Sequence, residues 1–457
     1  VPETPRDVTG LVAALATALT FGGLAVLRAR NGWAGGLDLG LFDQAVWDLA
    51  HGRGGNVSFT GGNIFEDHVS PVLVLFVPAY LIAATPMWLL AAQAAALGAT
   101  IVPMRRVAAN VHAPAWLATL ATAASAPLFA AAIFDFHPLT LAAPGVAWML
   151  VGALEDDHRF AMLGLAWVFT CRADASFVAL GIAILASPAL RRRLIPWGLL
   201  GAAVGLVTPH LLGTPRQTFS RYYADLGESP MDFVLHPWRI LNAIADRSFW
   251  ATLLIWLLPG LLLPVFRPRW FVAILVGGAP LLLSSWPGIS LPWFHNASLL
   301  APVAIGGGLA VVGSIRRESR PPAVGALLAG AALALFLQSP LAPRAPAAVN
   351  IREIIDSNGS NIDATLASVP PGASVAAVNQ LAAQLAHRQD VYVLPCPFPE
   401  LIDQQDDEGL IDVCADRSAR PDFVLSEVRR SEGLRQLGYV VRPSPTPGIV
   451  LAQRNAG

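Results

Sequence analysis

The chain contains no lysine; all 30 of its basic residues are arginine. Charge of either sign is scarce, at 13% of 457 residues, against roughly 25% in soluble globular domains. A protein of this size could not cover itself with a water-facing surface on that share, so a single soluble globule is excluded. Intrinsic disorder needs low hydrophobicity and high net charge, whereas here 54% of residues are hydrophobic and the formal charge is −1. No basic excess exists to hold phosphates, which argues against nucleic acid as a partner. Cofactor motifs are missing too: there is no Walker loop, no Gly-rich dinucleotide fingerprint after a strand, no His-Glu-x-x-His and no Cys-x-x-Cys. ATP and redox cofactors are not indicated. Cysteine is limited to Cys171 in the apolar body and to Cys396 and Cys414 near the C-terminus. In an oxidising compartment the last two can form a disulfide, or Cys396 can stay an unpaired loop thiol.

What is present is a series of apolar runs, ending near Gln338 at the Pro-rich stretch 339–346. Windows of about 20 mostly apolar residues, the length a membrane-crossing helix needs, fall near 10–27, 87–104, 114–132, 138–154, 194–212, 250–266, 270–285, 297–314 and 321–338. Residues 159–187 carry Arg172 and Asp174 near their centre. One lipid-exposed helix would not bear them cheaply, so they read as a short helix, a polar tip and a helix back. Residues 69–84 could span or lie along the interface. Cytoplasmic loops collect Arg, and only the interfacial reading puts Arg105-Arg106, Arg159, Arg191 to Arg193, Arg267, Arg269, Arg316, Arg317 and Arg320 on one side. The expectation is therefore an α-helical integral membrane protein with about eleven transmembrane helices, its N-terminus cytoplasmic. The first run reads as span one rather than a signal peptide. Residues 1–340 form the transmembrane domain, with a first external loop at 28–86, and 341–457 form a small extracytoplasmic α/β domain.

Under this topology the unusual polar residues gather on the outer face: Asp38, Asp43, Asp48, Asp67 and His68 in loop one, Asp135 and His137 before Pro138, Arg172 and Asp174 at the polar tip, Arg216, Arg221, Tyr222, Tyr223 and Asp225 in a long loop, and His295. Such groups at the ends of apolar helices are costly unless they face a wet cavity or each other, so a shared outward cleft is expected. Plainer readings stand beside it. Asp43 can cap a helix over Gln44 to Ala50, Asp135 can cap a turn before Pro138, and Arg172 with Asp174 can be a structural ion pair at a helix break. Glu155-Asp156-Asp157-His158 has a metal-like composition but reads better as a solvated acidic turn beside Arg159.

The C-terminal segment alternates strand-like runs at 373–378, 390–394, 422–425 and 448–451 with helical stretches at 351–356 and 380–387. This pattern suggests a partly parallel sheet. Asn379, Gln380 and His387-Arg388 follow a strand, where open α/β sheets usually bind things; an inert lid or a partner-docking module is an equal alternative.

Five strings, Leu37-Asp-Leu-Gly-Leu-Phe-Asp-Gln-Ala-Val-Trp47, Asp67-His-Val-Ser-Pro71, Asp135-Phe-His-Pro138, Arg172-Ala-Asp174 and Leu385-Ala-His-Arg388 before Val391-Tyr-Val-Leu-Pro395, resemble an uncharacterised bacterial family of multi-spanning membrane proteins. That family is similar to the GT-C glycosyltransferases. The resemblance implies a GT-C-like fold with a catalytic acid in the first external loop, matched by Asp38, peripheral helices after it, and a second acidic site matched by Asp135. GT-C enzymes commonly carry Asp-Glu or Asp-x-Asp pairs, whereas here Leu39 follows Asp38 and the second site is Asp-Phe-His. The implied function is transfer of a sugar from a polyprenyl-phosphate donor, on the outer face of the cytoplasmic membrane, to a cell-envelope glycan, lipid or protein. Asp38 is the expected base, with Asp43 the runner-up and Asp135 a third catalytic candidate. Arg172 or Arg221 would stabilise the leaving phosphate. Asp67, His68, His137, Asp174 and His295 are expected to bind substrate, and the carboxylates and imidazoles would orient it or hold a divalent ion, Mg or Mn. The alternatives are a transporter or flippase for a lipid-linked or polar solute, and a scaffold without catalysis.

Overall fold

The computed structural model describes residues 7–67, 69–212, 222–258, 262–286, 289, 294–338, 359–401 and 418–455. Helix α1, Val8–Arg30, starts where the Asp7 carboxylate accepts from the Gly10 N–H at 3.0 Å. Its 23 residues reach about 35 Å at 1.5 Å per residue, enough to cross a hydrocarbon core about 30 Å thick. A π-helical turn, Gly36–Gly40, leads into α2, Leu41–Ala50, and then to a small antiparallel hairpin of β1 (Asn56–Val57) and β2 (Gly62–Asn63). The apolar segment Pro71–Ile82 is helical but short of crossing length. After α3, Met87–Asn110, come a helix pair bent by 42° at Ala123–Ala126, then α4 (Ala143–Glu155), α5 (His158–Cys171) and α6 (Val178–Leu185). Helix α7, Ala301–Ser314, is buried along nearly its whole length.

Eleven spans are not what the structure has. Among the described residues three helices are long and apolar enough to cross a membrane, or five if each bent pair counts as one. Hydropathy windows average over breaks that the backbone makes. The window 270–285 is interrupted at Gly278 between Pro268–Gly277 and Ala279–Leu282. The window 297–314 opens with the 3-10 turn His295–Leu299, leaving 14 helical residues. Residues 159–187 do run up, turn and return, with an extended Arg172 (φ −162°, ψ 115°) between α5 and the 3-10 turn Ala173–Phe177 that precedes α6. Large apolar side chains such as Leu11, Leu15 and Leu19 on α1 and Trp197 and Leu200 on Pro188–Leu212 stand exposed; contiguous apolar surface of this kind suits a lipid environment.

The C-terminal sheet has five strands in the order β4-β3-β5-β7-β6. They are β3 (Val375–Ala377), β4 (Val391–Val393), β5 (Phe423–Glu427), β6 (Tyr439–Pro443) and β7 (Ile449–Arg454). β3 runs parallel to β4 and β5, and β7 runs antiparallel to β5 and β6. Four strands fall on the expected runs. β6 has no counterpart there, because an edge strand that alternates weakly and ends in Pro443 carries little strand signal. The helix expected at 380–387 is a short turn, Asn379–Ala382, followed by 3-10 residues Ala383–Leu385; the one expected at 351–356 lies outside the described residues. Cys396 is disulfide-bonded and Cys171 is a free, buried thiol, whereas Cys414 lies outside the described residues. One apolar core runs unbroken from the helical body, including Met149, Val168 and Ile182, into the sheet at Val375, Val391 and Val424.

Candidate functional site

The carboxylates of Asp38 and Asp135 converge on the backbone of Gly35. A Cβ placed there would lie 3.0 Å from Asp135 Oδ2, 3.3 Å from Asp38 Oδ2 and 3.0 Å from Asn379 Nδ2, so the absent side chain leaves the space these groups share. Asp135 does not cap the turn before Pro138. It is buried, accepts from Arg28 Nη1 at 2.5 Å and from the Gly35 N–H at 2.7 Å, and so ties the end of α1 to the approach to α4. Asp38, on the π-helical turn, meets His137 Nε2 at 3.3 Å and keeps 31% of its side chain exposed, against 3% for Asp135. Asp38 is therefore the more accessible of the two carboxylates.

His137 is fixed from several directions. Its N–H donates to Gln93 Oε1 at 3.1 Å, Thr140 Oγ1 donates to the same oxygen at 2.8 Å, and Gln93 Nε2 donates to the Ala131 carbonyl at 2.9 Å. The imidazole stacks on His295, ring centroids 3.4 Å apart. The next residue, Asn296, accepts from Arg172 Nη1 at 3.4 Å, and Arg172 grips Asp174 through Nε and Nη2, both at 2.7 Å. The ion pair at the helix break is thus real, and it also lines a small cavity of about 40 Å³ with Tyr223 and Asn296. Burial, with the Asp174 carboxylate, pushes the Tyr223 phenol up to about 12. The turn His295–Leu299 joins the acidic group to the guanidinium.

Asp43 sits elsewhere. It lies in the first turn of α2 without capping it, is buried, and its Oδ1 accepts from Tyr80 Oη at 2.6 Å and faces His387 Nε2 at 3.0 Å. Burial, then the Asp43 carboxylate, hold the Tyr80 phenol above its ordinary range, so Tyr80 stays a donor. Asp48 staples its own loop, accepting from the N–H groups of Gly55 (2.9 Å) and Asn56 (2.7 Å) and pairing with Arg53. Asp67 ends the short helix Ile64–Asp67. His68, Arg216 and Arg221 lie outside the described residues.

The sheet supplies residues that sequence patterns placed only in a separate domain. β4 and β5 flank β3 on opposite sides, and in open α/β sheets the region beyond the carboxyl end of such a strand is where ligands usually bind. Asn379 stands there and its Oδ1 accepts from the Leu37 N–H at 3.1 Å. Gln44 Nε2 donates to the Arg388 carbonyl at 2.8 Å, and the Ser58 hydroxyl both donates to the Val391 carbonyl (2.8 Å) and accepts from the Val391 N–H (2.9 Å). These bonds cover the β4 edge. Missed altogether were Arg28, Gln93, Tyr80 and Asn296. Two left a signal: Gln93 interrupts an alanine run, and Arg28 stands at the far end of span one, where the arginine rule wants none.

Among the described residues no group of three or more His, Cys, Asp and Glu is placed to hold a metal ion, and the two convergent carboxylates already face Arg28 and His137. Glu155-Asp156-Asp157 is spent on structure. Glu155 pairs with Arg106, Asp156 accepts from Ser187, and Asp157 caps α5 through the Arg159 N–H.

An apolar helical body carrying a polar cluster at one end suits a membrane protein. The chain belongs to the DUF2079 family of predicted membrane proteins, which it matches over residues 33–422. No curated protein matches it. Among solved structures, the crystal structure of ArnT from Cupriavidus metallidurans in the apo state is similar at 12% identity and a TM-score of 0.46, covering 97% of this chain and 99% of that one.

Proposed function

We propose that the chain is a GT-C-type membrane glycosyltransferase that moves a sugar from a polyprenyl-phosphate donor to a hydroxyl acceptor at the cleft end of the bundle. The observation that carries the reading is the convergence of one reachable carboxylate, Asp38, with a buried, charge-paired one, Asp135, and an oriented imidazole, His137. Forming the new sugar–oxygen bond requires the acceptor hydroxyl to lose its proton, and a carboxylate within hydrogen-bond reach serves as base. Asp38 takes that proton as the bond from the sugar to the phosphate oxygen breaks. Asp135 and Arg28 hold the wall against which Asp38 stands. Arg172 keeps Nη1 turned towards Asn296 and the cavity, where it meets the leaving phosphate. Asp43 is a positioning residue, since its Oδ1 is engaged by Tyr80 and His387.

The cleft side faces out of the cell in this reading, where nucleotide sugars are absent and lipid-linked donors are used. A transport pathway would need polar groups to continue through the bundle. Instead Ala301 to Val312 of α7 form a run of buried small and apolar residues between His295 and the opposite end. The test is incubation of the purified full chain and its Asp38→Asn variant with a panel of polyprenyl-phosphate sugars. Release or transfer of sugar by the unmodified chain and its loss in the variant support the reading; equal turnover by both removes Asp38 as base.

A further inference from the structure

The end of the bundle remote from Asp38 holds two open basic grooves. They measure about 480 and 510 Å³ and both border His112; Arg267 and Arg269 line the first, Arg317 and Arg320 the second. Two of these arginines are committed. Arg269 Nη2 donates to the Ile184 carbonyl at 2.8 Å and the Leu185 carbonyl at 3.1 Å, and Arg320 Nε donates to the Ile315 carbonyl at 2.9 Å, so they satisfy the ends of α6 and α7. The guanidinium groups of Arg267, half-buried, and Arg317, exposed, have no partner among the described residues. Nearby acids do not neutralise them: Glu155 is taken by Arg106 and Asn110, Asp156 by Ser187, and Asp157 by the start of α5. Glu318, exposed on the turn Arg317–Ser319, is the one acid on the lining turns.

The surroundings say what kind of anion fits. Val265 and Phe266 just before Arg267, and Trp116 and Leu120 just after the Pro114 that lines the second opening, are large apolar side chains left exposed. A free inorganic ion has no use for an apolar rim, whereas an amphiphilic anion buries chains along it while its headgroup meets the arginines. We propose that these adjoining grooves bind the phosphate headgroups of anionic phospholipids, with Arg267 as the recognising cation of the first and Arg317 of the second, and with Phe266 and Trp116 flanking the acyl chains. The site is independent of the acidic cleft and of any reaction there.

The test uses the purified full chain in detergent, with retained lipid measured by native mass spectrometry. The probes are phosphatidylglycerol, phosphatidylcholine and sodium phosphate. Phosphatidylglycerol should be retained about tenfold more strongly than phosphatidylcholine. The pair Arg267→Gln with Arg317→Gln should lose about tenfold or more of that retention, at roughly 1.4 kcal/mol per tenfold, and the pair Arg267→Lys with Arg317→Lys should keep most of it. Millimolar phosphate should not displace the lipid. Equal retention of the two lipids, an unaffected Gln pair, or binding of phosphate with no preference for phosphatidylglycerol would overturn the proposal. Should the Gln pair fail to fold, the unmodified chain decides: retention that falls with ionic strength supports the site, and retention indifferent to salt removes it.

Discussion

Helix α1 carries an ion pair at each end, and the two differ in what holds them. At the first, Asp7 meets Arg105 with 41% of the Asp7 side chain exposed; at the other, Arg28 meets Asp135 with 7% and 3% exposed. A water-exposed pair gains little, because solvent screens it and long side chains resist ordering. A buried pair gains little over an apolar substitute, but breaking it strands a charge. The same chemistry therefore makes a dispensable clip at one end and an obligatory wall of the cleft at the other.

Substitutions at the two ends can break this contrast. The largest effect is expected for Asp38→Asn, which should lower sugar transfer by about 10²- to 10⁴-fold with an unchanged unfolding midpoint, while Glu155→Gln at the opposite end leaves turnover alone. Next, Arg28→Gln should destabilise the fold by about 3–5 kcal/mol, read by thermal or denaturant unfolding in detergent; a loss under 1 kcal/mol would erase the distinction between the two ends. His387→Ala removes one of two partners of the buried Asp43 and should cost about 1–3 kcal/mol, with faster proteolysis of the C-terminal segment as a second readout. Smallest is Arg105→Gln, at about 0–1 kcal/mol. Its pH dependence has a definite sign. The hydrogen bond from Arg105 holds the Asp7 carboxyl below the ordinary carboxylate range, so the pair contributes above about pH 4 and fades as pH falls through the lowered value. The variant and the unmodified chain should then unfold alike in acid.

Much of the polar cluster was legible because polar residues are rare in this sequence and each must be accounted for. Asp38, Asp135, His137, His295, Arg172 and Asp174 were singled out on that ground, and one end of the bundle holds them all, joined through Asn296. Arg28 was passed over because counting arginines by side treats each as a solvated marker, whereas this one is buried against Asp135. The contact of Asp43 with His387 was not legible because the two lie 344 residues apart, beyond any local pattern. The number of crossings was overstated for the opposite reason. Composition over twenty residues is blind to a single Gly278 or to the 3-10 turn His295–Leu299, where the α-helix is interrupted.

The distance in sequence between Asp43 and His387 also sets a clock. At the usual pace of about 5–20 residues per second, a growing chain makes the first of these residues roughly 17 to 70 s before the second. Through that interval α1, α2 and the hairpin stand without the sheet that later covers Gly36 and Gly40 through Ala382 and Ala383. Over that time Asp43 has Tyr80 as a partner and not yet His387. A ribosome pause or a holding chaperone near the middle of the message would lengthen that exposure, and the arrival of Asn379 to His387 ends it.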